Sequence, residues 1–304
     1  MLFCLILFVS IMPAPSIAGT EMRTETADYW LDTVYACESF IPCMILHAAK
    51  APETEVILTI TYFPNKIALL ICSTGLGYHG EPPSEETQGK IEYRLKPGDM
   101  SCGGVVGSFT FVPTEQMDFV NIYLEAKTAD GSPLRVKDGS IRFGRSDRPL
   151  QAAQDSPFIL APEVGLGMGI QDNLTLGMTK SNCSLAAGCA LTGYRPDGTP
   201  LNDKDRIGTG TILSVLYNGN EIVDQYVMVL MGDVDGDGAV NATDALLALQ
   251  HSVRLATLSD LQMSAANCCL DESSEMINAS DALTILQYSV GLIPSCIHVN
   301  LQFD

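Results

Sequence analysis

The fold of the C-terminal part of this chain is decided by the stretch Asp233-Val234-Asp235-Gly236-Asp237-Gly238-Ala239-Val240 and by the fifteen residues that follow it. Those fifteen residues, 241–255, read NATDALLALQHSVRL. They return 37 positions later, at 278–292, as NASDALTILQYSVGL, with ten identical positions. In both copies the apolar residues recur at three- and four-residue spacing, which predicts an amphipathic helix. We therefore expect a duplicated unit in which a loop leads into a helix.

Oxygen-bearing side chains recur through the first loop at the spacing of a calcium-binding loop. Counted from Asp233 as position 1, they stand at positions 1, 3, 5, 9 and 12, with glycine at position 6. The candidate ligands are the side chains of Asp233, Asp235, Asp237, Asn241 and Asp244 and the backbone carbonyl of Ala239 at position 7. This is the ligand pattern of an EF-hand loop, with Asp in place of the usual Glu at position 12. Because all the donors are hard oxygens, the pattern predicts Ca²⁺ rather than zinc or copper.

The charge of this loop predicts that metal binding and folding are coupled. Each pair of its four carboxylates repels by roughly 2–3 kcal/mol at an effective dielectric constant of about 20. A loop without a cation is therefore expected to stay open, and the ion should close it. The alternative is a solvated Asp-Gly turn, but all six ligand positions are in register and a helix follows at once.

The second loop keeps only part of the ligand pattern. Counted back from the second helix, the candidate ligands are Glu272, Ser274, Asn278 and Asp281 at positions 3, 5, 9 and 12. Position 1 is Leu270, and position 6 is Glu275 instead of glycine. Moving the frame by one residue recruits Asp271 but shortens the loop. We therefore expect one tight calcium site in the first loop and a weak or absent site in the second.

Residues 232–293 resemble a type I dockerin, the duplicated module that attaches extracellular proteins to cohesin modules in cellulosome-like assemblies. The resemblance lies in the Gly-Asp-Val-Asp-Gly-Asp-Gly start, the Asn-x-Thr/Ser-Asp ends of both loops and the tandem arrangement. It implies an all-α module of two calcium-loop-helix units whose partner is a cohesin. Loop positions 10 and 11 and later helix positions would contact that partner; here they are Ala242, Thr243, Leu249, Gln250, Ala279, Ser280, Leu286 and Gln287.

The Leu-Gln pairs on the two helices depart from the family, because many dockerins carry Lys-Arg at these positions. Their occurrence in both copies fits the pseudo-twofold symmetry of the family, which allows binding in two orientations. Helical periodicity alone favours another role for Leu249 and Leu286, in the helix core, with Gln250 and Gln287 on the solvated face.

Residues 20–150 alternate between short apolar or β-branched runs and turn signals. The predicted strands are 56–62, 66–72, 91–95, 105–112, 120–126 and 140–143. Many short strands with regular breaks predict a β-sandwich. The Thr-Tyr-Phe-Pro-Asn-Lys strand end, the 103–111 stretch and the closing Asp-Gly-Ser-Ile resemble a cohesin, which would take a dockerin as partner. A carbohydrate-binding sandwich, with a polysaccharide as ligand, has the same pattern. Trp30 and Tyr35 are expected in the core rather than on a sugar platform.

Residues 155–231 predict a small β module. Strands are expected at 212–217 and 222–230, and Asn218-Gly219 between them is a strong signal for a two-residue hairpin turn. The segment resembles the small β modules that precede dockerins in secreted clostridial proteins. Almost no linker separates it from residues 232–296, which favours contact between the two, whereas residues 145–156 are expected to be a linker.

Composition narrows the functional classes. The net charge of −19 argues against nucleic acid or an anionic membrane as partner, because both need basic surface. Residues 1–18 are expected to be a secretory signal peptide, because an apolar run precedes the small-x-small cleavage signal Ser16-Ile17-Ala18. The run is too short to span a bilayer, and no later stretch is long enough. Ten cysteines allow several disulfides, which are Cys37 with Cys43, Cys183 with Cys189, and Cys268 or Cys269 with Cys296; free buried thiols are the alternative.

Function follows from the modules rather than from a catalytic motif. No nucleophile elbow and no His-Glu-x-x-His pattern occurs, and the residues outside the small β module and the helices are too few for a barrel enzyme. We expect a secreted non-catalytic component of a polysaccharide-degrading complex. A carbohydrate-binding module and a small hydrolase are the alternatives, since two catalytic carboxylates can lie anywhere in a sandwich.

Overall fold

The computed structural model describes residues 27–37, 43–76, 78–87, 89–115, 117–145, 149–161, 165–169, 172–269 and 277–296. Within these residues the chain is mainly β, with helices concentrated after residue 240. The expected signal peptide at 1–18 and the residues 270–276 of the second loop lie outside the described residues. No helix of the described part is both long and apolar enough to cross a membrane.

The N-terminal part is a β-sandwich of two sheets. One sheet has the order β10-β1-β3-β8-β5 and contains β1 (Tyr29–Leu31), β3 (Met44–Ala48), β5 (Ile67–Thr74), β8 (Gly104–Pro113) and β10 (Val136–Lys137). The facing sheet runs β2-β11-β9-β4-β7-β6 and contains β2 (Thr33–Cys37), β4 (Val56–Thr61), β6 (Ser84–Thr87), β7 (Lys90–Leu95), β9 (Phe119–Thr128) and β11 (Gly139–Arg145). Side chains of β9 alternate strictly between buried and exposed, so this sheet has one core face and one solvent face.

Most strands of the small β module continue the second sheet, while β12 and β15 form a separate two-stranded sheet. Its strands are β12 (Leu150–Ala152), β13 (Phe158–Ala161), β14 (Leu166–Gly169), β15 (Cys183–Leu185), β16 (Cys189–Tyr194), β17 (Ile212–Tyr217) and β18 (Glu221–Leu230), with one short helix, α1 (Leu176–Ser181). β18 lies between β14 and β17 and meets β2 in parallel, Ile222 opposite Val34. A hairpin turn forms at the predicted place, where both Asn218 and Gly219 have positive φ. The connection has three residues rather than the predicted two, since Tyr217 pairs with Glu221.

The five-stranded sheet is covered on both faces. Met44 and Leu46 of β3 face the sandwich core, whereas Cys43 and Ile45 belong to a second core with Ile212, Val227 and Leu261. Because neighbouring strand residues point to opposite faces, the small β module and the segment after residue 260 pack on the outer side of this sheet. The units expected to be separate therefore share a core. The stretch 145–156, which was expected to be a linker, contains β12, and this strand pairs with β15.

A buried polar network joins the sandwich to the small β module. Asp32 accepts a hydrogen bond from Gln225 Nε2 at 2.8 Å, and its other carboxylate oxygen lies 3.0 Å from His47 Nε2. Trp30 stacks on the His47 ring with the centroids 5.0 Å apart. Trp30 is buried, as predicted, and Tyr35 is half-buried. Fully partnered buried polar groups favour one unique arrangement, so this network fixes how the two units meet.

The C-terminal part is all-α in its described residues. It contains α2 (Ala242–Ser252), α3 (Asp260–Ala266) and α4 (Ala279–Ser289), and α2 packs against α4. Asn241 and Asn278 are the N-caps of the duplicated helices, each in a capping box with the aspartate three residues later. A capping box satisfies N–H groups that a helix start leaves without a partner. The same local sequence therefore starts the helix in both copies.

Candidate calcium and docking site

Three aspartates of the first loop converge. One carboxylate oxygen from each of Asp233, Asp235 and Asp237 lies within 4.8 Å of the other two. The loop is tightened by its own backbone, since Asp237 N donates to Asp235 Oδ1 at 3.0 Å and Gly238 N donates to Asp233 Oδ1 at 3.2 Å. Gly238 has φ of 79°, a conformation that favours glycine and explains this residue at position 6. Positions 1, 3 and 5 of the predicted ligand set are thus brought together.

The remaining predicted ligands of this loop are engaged by backbone groups. Asp244 Oδ1 accepts hydrogen bonds from Val234 N at 2.8 Å and from Asp235 N at 3.0 Å. Asn241 Oδ1 accepts from the N–H of Thr243 at 2.7 Å and caps α2. A carboxylate has about four acceptor positions, so these bonds leave Asp244 with further capacity. The carbonyl of Ala239 lies 3.5 Å from Asn241 Nδ2.

The loop buries negative charge. Asp233 and Asp244 are fully buried, and no ion pair among the described residues involves either of them. Burial raises the pKa of Asp233 to about 7 and that of Asp244 to about 6, and burial also raises the pKa of Asp235. Buried carboxylates are costly without a compensating positive charge. An oxygen-only donor set of this charge fits Ca²⁺.

The second repeat copies the helix start of the first. Asp281 is buried and accepts from Cys269 N at 2.8 Å and Asn278 N at 2.9 Å, and Asn278 caps α4 through Ser280 N at 2.7 Å. Positions 9 and 12 of the second loop therefore repeat the capping contacts of the first. The other donor to Asp281 is Cys269, which precedes the predicted loop, whereas Asp244 accepts from Val234 and Asp235 at loop positions 2 and 3. The other predicted ligands of this loop, Glu272 and Ser274, lie outside the described residues.

The predicted partner-contacting residues lie at the surface of the duplicated helices. Ala242, Thr243, Ala279 and Ser280 are exposed, and Gln250 and Gln287 are half-buried. Leu249 is 42% exposed and Leu286 is 41% exposed, so the prediction that they form the helix core is wrong. The buried faces are instead built from Ala245 and Ala248 in α2 and from Ala282 and Ile285 in α4.

The exposed apolar side chains of the two repeats correspond one to one. They are Leu246, Leu249, Val253 and Leu255 in the first repeat and Leu283, Leu286, Val290 and Leu292 in the second, each between 41% and 80% exposed. Each set begins with a spacing of three and four residues, which places its first two members on one helix face. The third member is the C-cap of the helix, and the fourth follows the helix end. We call these eight side chains the paired apolar face. An exposed apolar surface of this kind is a candidate interaction site.

The free face of the sandwich carries a second apolar group that the sequence did not indicate. Phe119 and Tyr123 on the solvent side of β9 are 59% and 41% exposed, and Phe63 packs edge-on against Tyr123 with the ring centroids 6.1 Å apart. The sequence of β9 predicts that its side chains point alternately to the two faces of the sheet. Which of the two faces is open to solvent depends on where the facing sheet lies.

Two of the cysteines expected to pair meet in the core of the helical part. Cys268 and Cys296 are buried in the same apolar cluster. The hydrogen bond with Cys296 and burial both raise the pKa of Cys268. Cys269 instead lies 2.9 Å from Thr284 Oγ1. Of the two alternatives, Cys268 is the one beside Cys296, but both are free cysteines, as is Cys269, so the expected disulfide is not formed in the structure.

No protein-family model and no curated protein sequence matches the chain. Solved structures similar to part of it include a non-cellulosomal cohesin from Archaeoglobus fulgidus, with 15% identity over 40% of this chain and 92% of that chain and a TM-score of 0.31. Another is the sixth cohesin of scaffoldin B from Acetivibrio cellulolyticus in complex with a Cel5 dockerin, with 14% identity over 39% of this chain and 99% of that chain and a TM-score of 0.33. A cohesin module of a Clostridium perfringens family 33 glycoside hydrolase gives 12% identity, 39% and 100% coverage and a TM-score of 0.28.

Proposed function

We propose that this protein is a secreted component of a cellulosome-like complex that docks to a cohesin through residues 232–296 when calcium is bound. The helical part acts as a dockerin in this proposal, and the paired apolar face is its contact surface. The observation that carries the proposal is that duplicated positions of two helices expose matching apolar side chains beside a loop with a calcium-ligand pattern.

Calcium would be held by Asp233, Asp235, Asp237, Asn241 and Asp244 together with the carbonyl of Ala239. The ion would supply positive charge to a loop that buries carboxylates, and it would hold the loop in the conformation that leads into α2. The chain's own groups already align this segment, because Asp244 accepts the N–H groups of Val234 and Asp235 at one end and that of Asn241 at the other. The first loop therefore stabilises the position of α2 relative to the preceding strand.

The paired apolar face offers a partner two equivalent binding orientations. Leu249 and Leu286 occupy equivalent positions, so a partner surface that fits one repeat also fits the other after a half-turn. Interface energy concentrates in a few apolar or aromatic side chains near the centre of a contact. Calcium acts on this surface indirectly, since the ion orders the loop and the loop orients α2 against α4.

The test is a binding screen of the full chain against a panel of cohesins with Ca²⁺ and with chelator. We expect at least one cohesin to bind in Ca²⁺ and to dissociate when the chelator is added. A matched Leu249→Asp/Leu286→Asp variant should lose binding, while Ile159→Asp, which changes an exposed apolar residue on β13, should keep it. Failure of every cohesin to bind, or equal binding in chelator, would contradict the proposal.

The solvent face of the sandwich supports a second interaction. Phe63, Phe119 and Tyr123 form an exposed aromatic group on the face that the small β module leaves open. We propose a foreign dockerin as the partner of this face, with a polysaccharide as the competing ligand. A pull-down with dockerins and affinity electrophoresis in plant polysaccharide gels separate the two, with Phe119→Ala/Tyr123→Ala as the variant that should abolish whichever binding occurs.

A further inference from the structure

The loop Ile207-Gly208-Thr209-Gly210-Thr211 of the small β module lies directly against the first calcium loop. Thr209 N donates a hydrogen bond to Asp233 Oδ2 at 2.7 Å. The other oxygen of Asp233 accepts from Gly238 N at 3.2 Å. The candidate ligand at position 1 is thus held by one N–H group of its own loop and by one from a different unit of the protein.

The two backbones approach so closely that neither leaves room for a side chain. A Cβ atom added to Gly208 would lie 2.3 Å from the carbonyl oxygen of Gly236 and 2.7 Å from the nitrogen of Gly238. A Cβ atom added to Gly236 would in turn lie 2.7 Å from the carbonyl oxygen of Thr209. Glycine on both sides is therefore a requirement of this contact, independent of turn geometry.

The donor that reaches Asp233 is fixed from its own side. The Thr209 hydroxyl bonds to both backbone groups of Leu230, 3.1 Å from its nitrogen and 3.3 Å from its oxygen. Leu230 is the last residue of β18, and the calcium loop starts three residues later. On the far side of the loop, Gly238 O accepts from Asn173 N at 2.9 Å. The small β module thus donates hydrogen bonds to the calcium loop at two points, Asp233 and Gly238.

We propose that Ile207–Thr211 forms the outer shell of the calcium site. Calcium binding then holds the docking helices against the β body, by which we mean the sandwich together with the small β module. We call this the clamped arrangement. The proposal rests on the calcium site of the proposed function and adds a structural effect to it. Contact with the β module removes water from Asp233, which is fully buried. A buried carboxylate is unfavourable without a positive charge, so the ion favours the clamped arrangement over an open one. By linkage, the clamped arrangement binds the ion more tightly by the same factor.

The experiment compares calcium affinity of the full chain with that of Gly208→Ala by calorimetry. Loss of an outer-shell partner costs about 10- to 100-fold in metal affinity, and we expect a loss in this range. The control is Gly193→Ala in the same β module, whose added Cβ meets only the side-chain tips of Leu176 and Leu201 at 3.2 Å. It should bind calcium within about twofold of the unchanged chain, since an effect below about 0.4 kcal/mol is expected far from the site.

A second measurement needs no substitution. Hydrogen exchange of the peptide that covers Ile207–Thr211 is compared in Ca²⁺ and in chelator, and we expect calcium to slow exchange of the Thr209 amide at least tenfold. Equal calcium affinity of Gly208→Ala and the unchanged chain, or equal exchange with and without calcium, would overturn the clamp and leave the calcium site standing. An unchanged chain that binds no calcium would instead contradict the proposed function.

Discussion

The two loop-helix repeats have the same helices and different loops. α2 and α4 begin with the same capping box, and the two repeats expose apolar side chains at the same four positions, two in each helix and two at or after its end. The first loop has oxygen ligands at all predicted positions and glycine at position 6, whereas the second has Leu270 at position 1 and Glu275 at position 6. The difference teaches that the exposed apolar pattern is duplicated and the ligand pattern is not. Under the proposed function, capping and helix packing would position α4, whereas α2 would also depend on the ion.

The contacts that each repeat makes with the β body differ as well. The first repeat meets it through the loop, at Asp233 and Thr209. The second meets it at the far end of its helix, where Tyr288 donates to Asp172 Oδ1 at 2.9 Å. Calcium should therefore act on the body through the first repeat, and the predictions below test that asymmetry.

The largest effect is expected from Asp233→Ala, which removes the ligand at position 1. Calcium that binds only the folded chain stabilises it by about 4 kcal/mol at a concentration 1,000 times the dissociation constant. In Asp233→Ala, both this calcium-dependent stabilisation and the binding of a cohesin should be lost. Thermal unfolding of the helical part with and without Ca²⁺ measures the stabilisation, and Asp203→Ala, an exposed acid of the β module, is the control. A full calcium increment in Asp233→Ala would show that the first loop is not the site.

Next in size is Ile285→Ala in α4. Ile285 is fully buried, and truncation of such a side chain costs about 2–5 kcal/mol. The neighbouring exposed Leu286→Ala should change the free energy of unfolding by less than about 0.5 kcal/mol. Hydrogen exchange of the α4 amides in the full chain reports both values. Equal effects would mean that the buried and exposed faces of α4 are assigned wrongly.

Substitutions on the paired apolar face should affect binding and leave the fold intact. Leu249→Asp or Leu286→Asp alone leaves one binding orientation usable, so we expect a loss of a few-fold. The double variant should lose about 100-fold, which is about 2.7 kcal/mol of binding free energy. Calorimetric titration with a cohesin measures this, and a single variant as weak as the double one would contradict the two-orientation model.

The stability of the metal-free chain should depend on pH with a definite sign. The pKa of Asp233 is raised to about 7 and that of Asp244 to about 6, against about 3.9 in an unfolded chain. The metal-free folded chain therefore holds more protons between pH 4 and 7. The stabilisation that these raised pKa values give to the metal-free folded chain is fully present below pH 4 and is lost as pH rises through 7. Urea unfolding in chelator at pH 5 and pH 8 should show the C-terminal part less stable at pH 8. Asp233→Asn should reduce the difference, and a gain in stability from pH 5 to pH 8 would refute the assignment.

The smallest effect is expected from Asp271→Ala in the second loop. Because this loop has no ligand at position 1 and no glycine at position 6, removal of one carboxylate should leave the high-affinity calcium binding within about twofold and stability within about 0.5 kcal/mol. A loss equal to that of Asp233→Ala would show that both loops hold calcium tightly.

Local patterns predicted much of the fold. The strands at β4, β5, β7, β8, β9, β11, β17 and β18 lie within about two residues of their predicted bounds, since alternation and turn residues are local signals. The parallel contact of β2 with β18 joins Val34 to Ile222, and nothing local marks such a distant partner. The pairing of Asp32 with His47 was missed for the same reason.

The candidate site was predictable where spacing defines it. Ligand register identified Asp233, Asp235 and Asp237, and the structure brings these three together. The role of Thr209 was not readable, because it depends on how the β module is placed against the loop. Leu249 and Leu286 were assigned to the core because leucine usually lies inside. The small Ala245 and Ala248 line the contact instead, which lets α2 and α4 approach closely.

Calorimetric titration of the full chain with Ca²⁺ tests the central claim most directly. We predict a single high-affinity site per chain, which disappears in Asp233→Ala and remains in Asp271→Ala. Two sites of equal affinity, or no heat of binding at all, would contradict the claim that the first loop alone holds the ion that orders the docking helices.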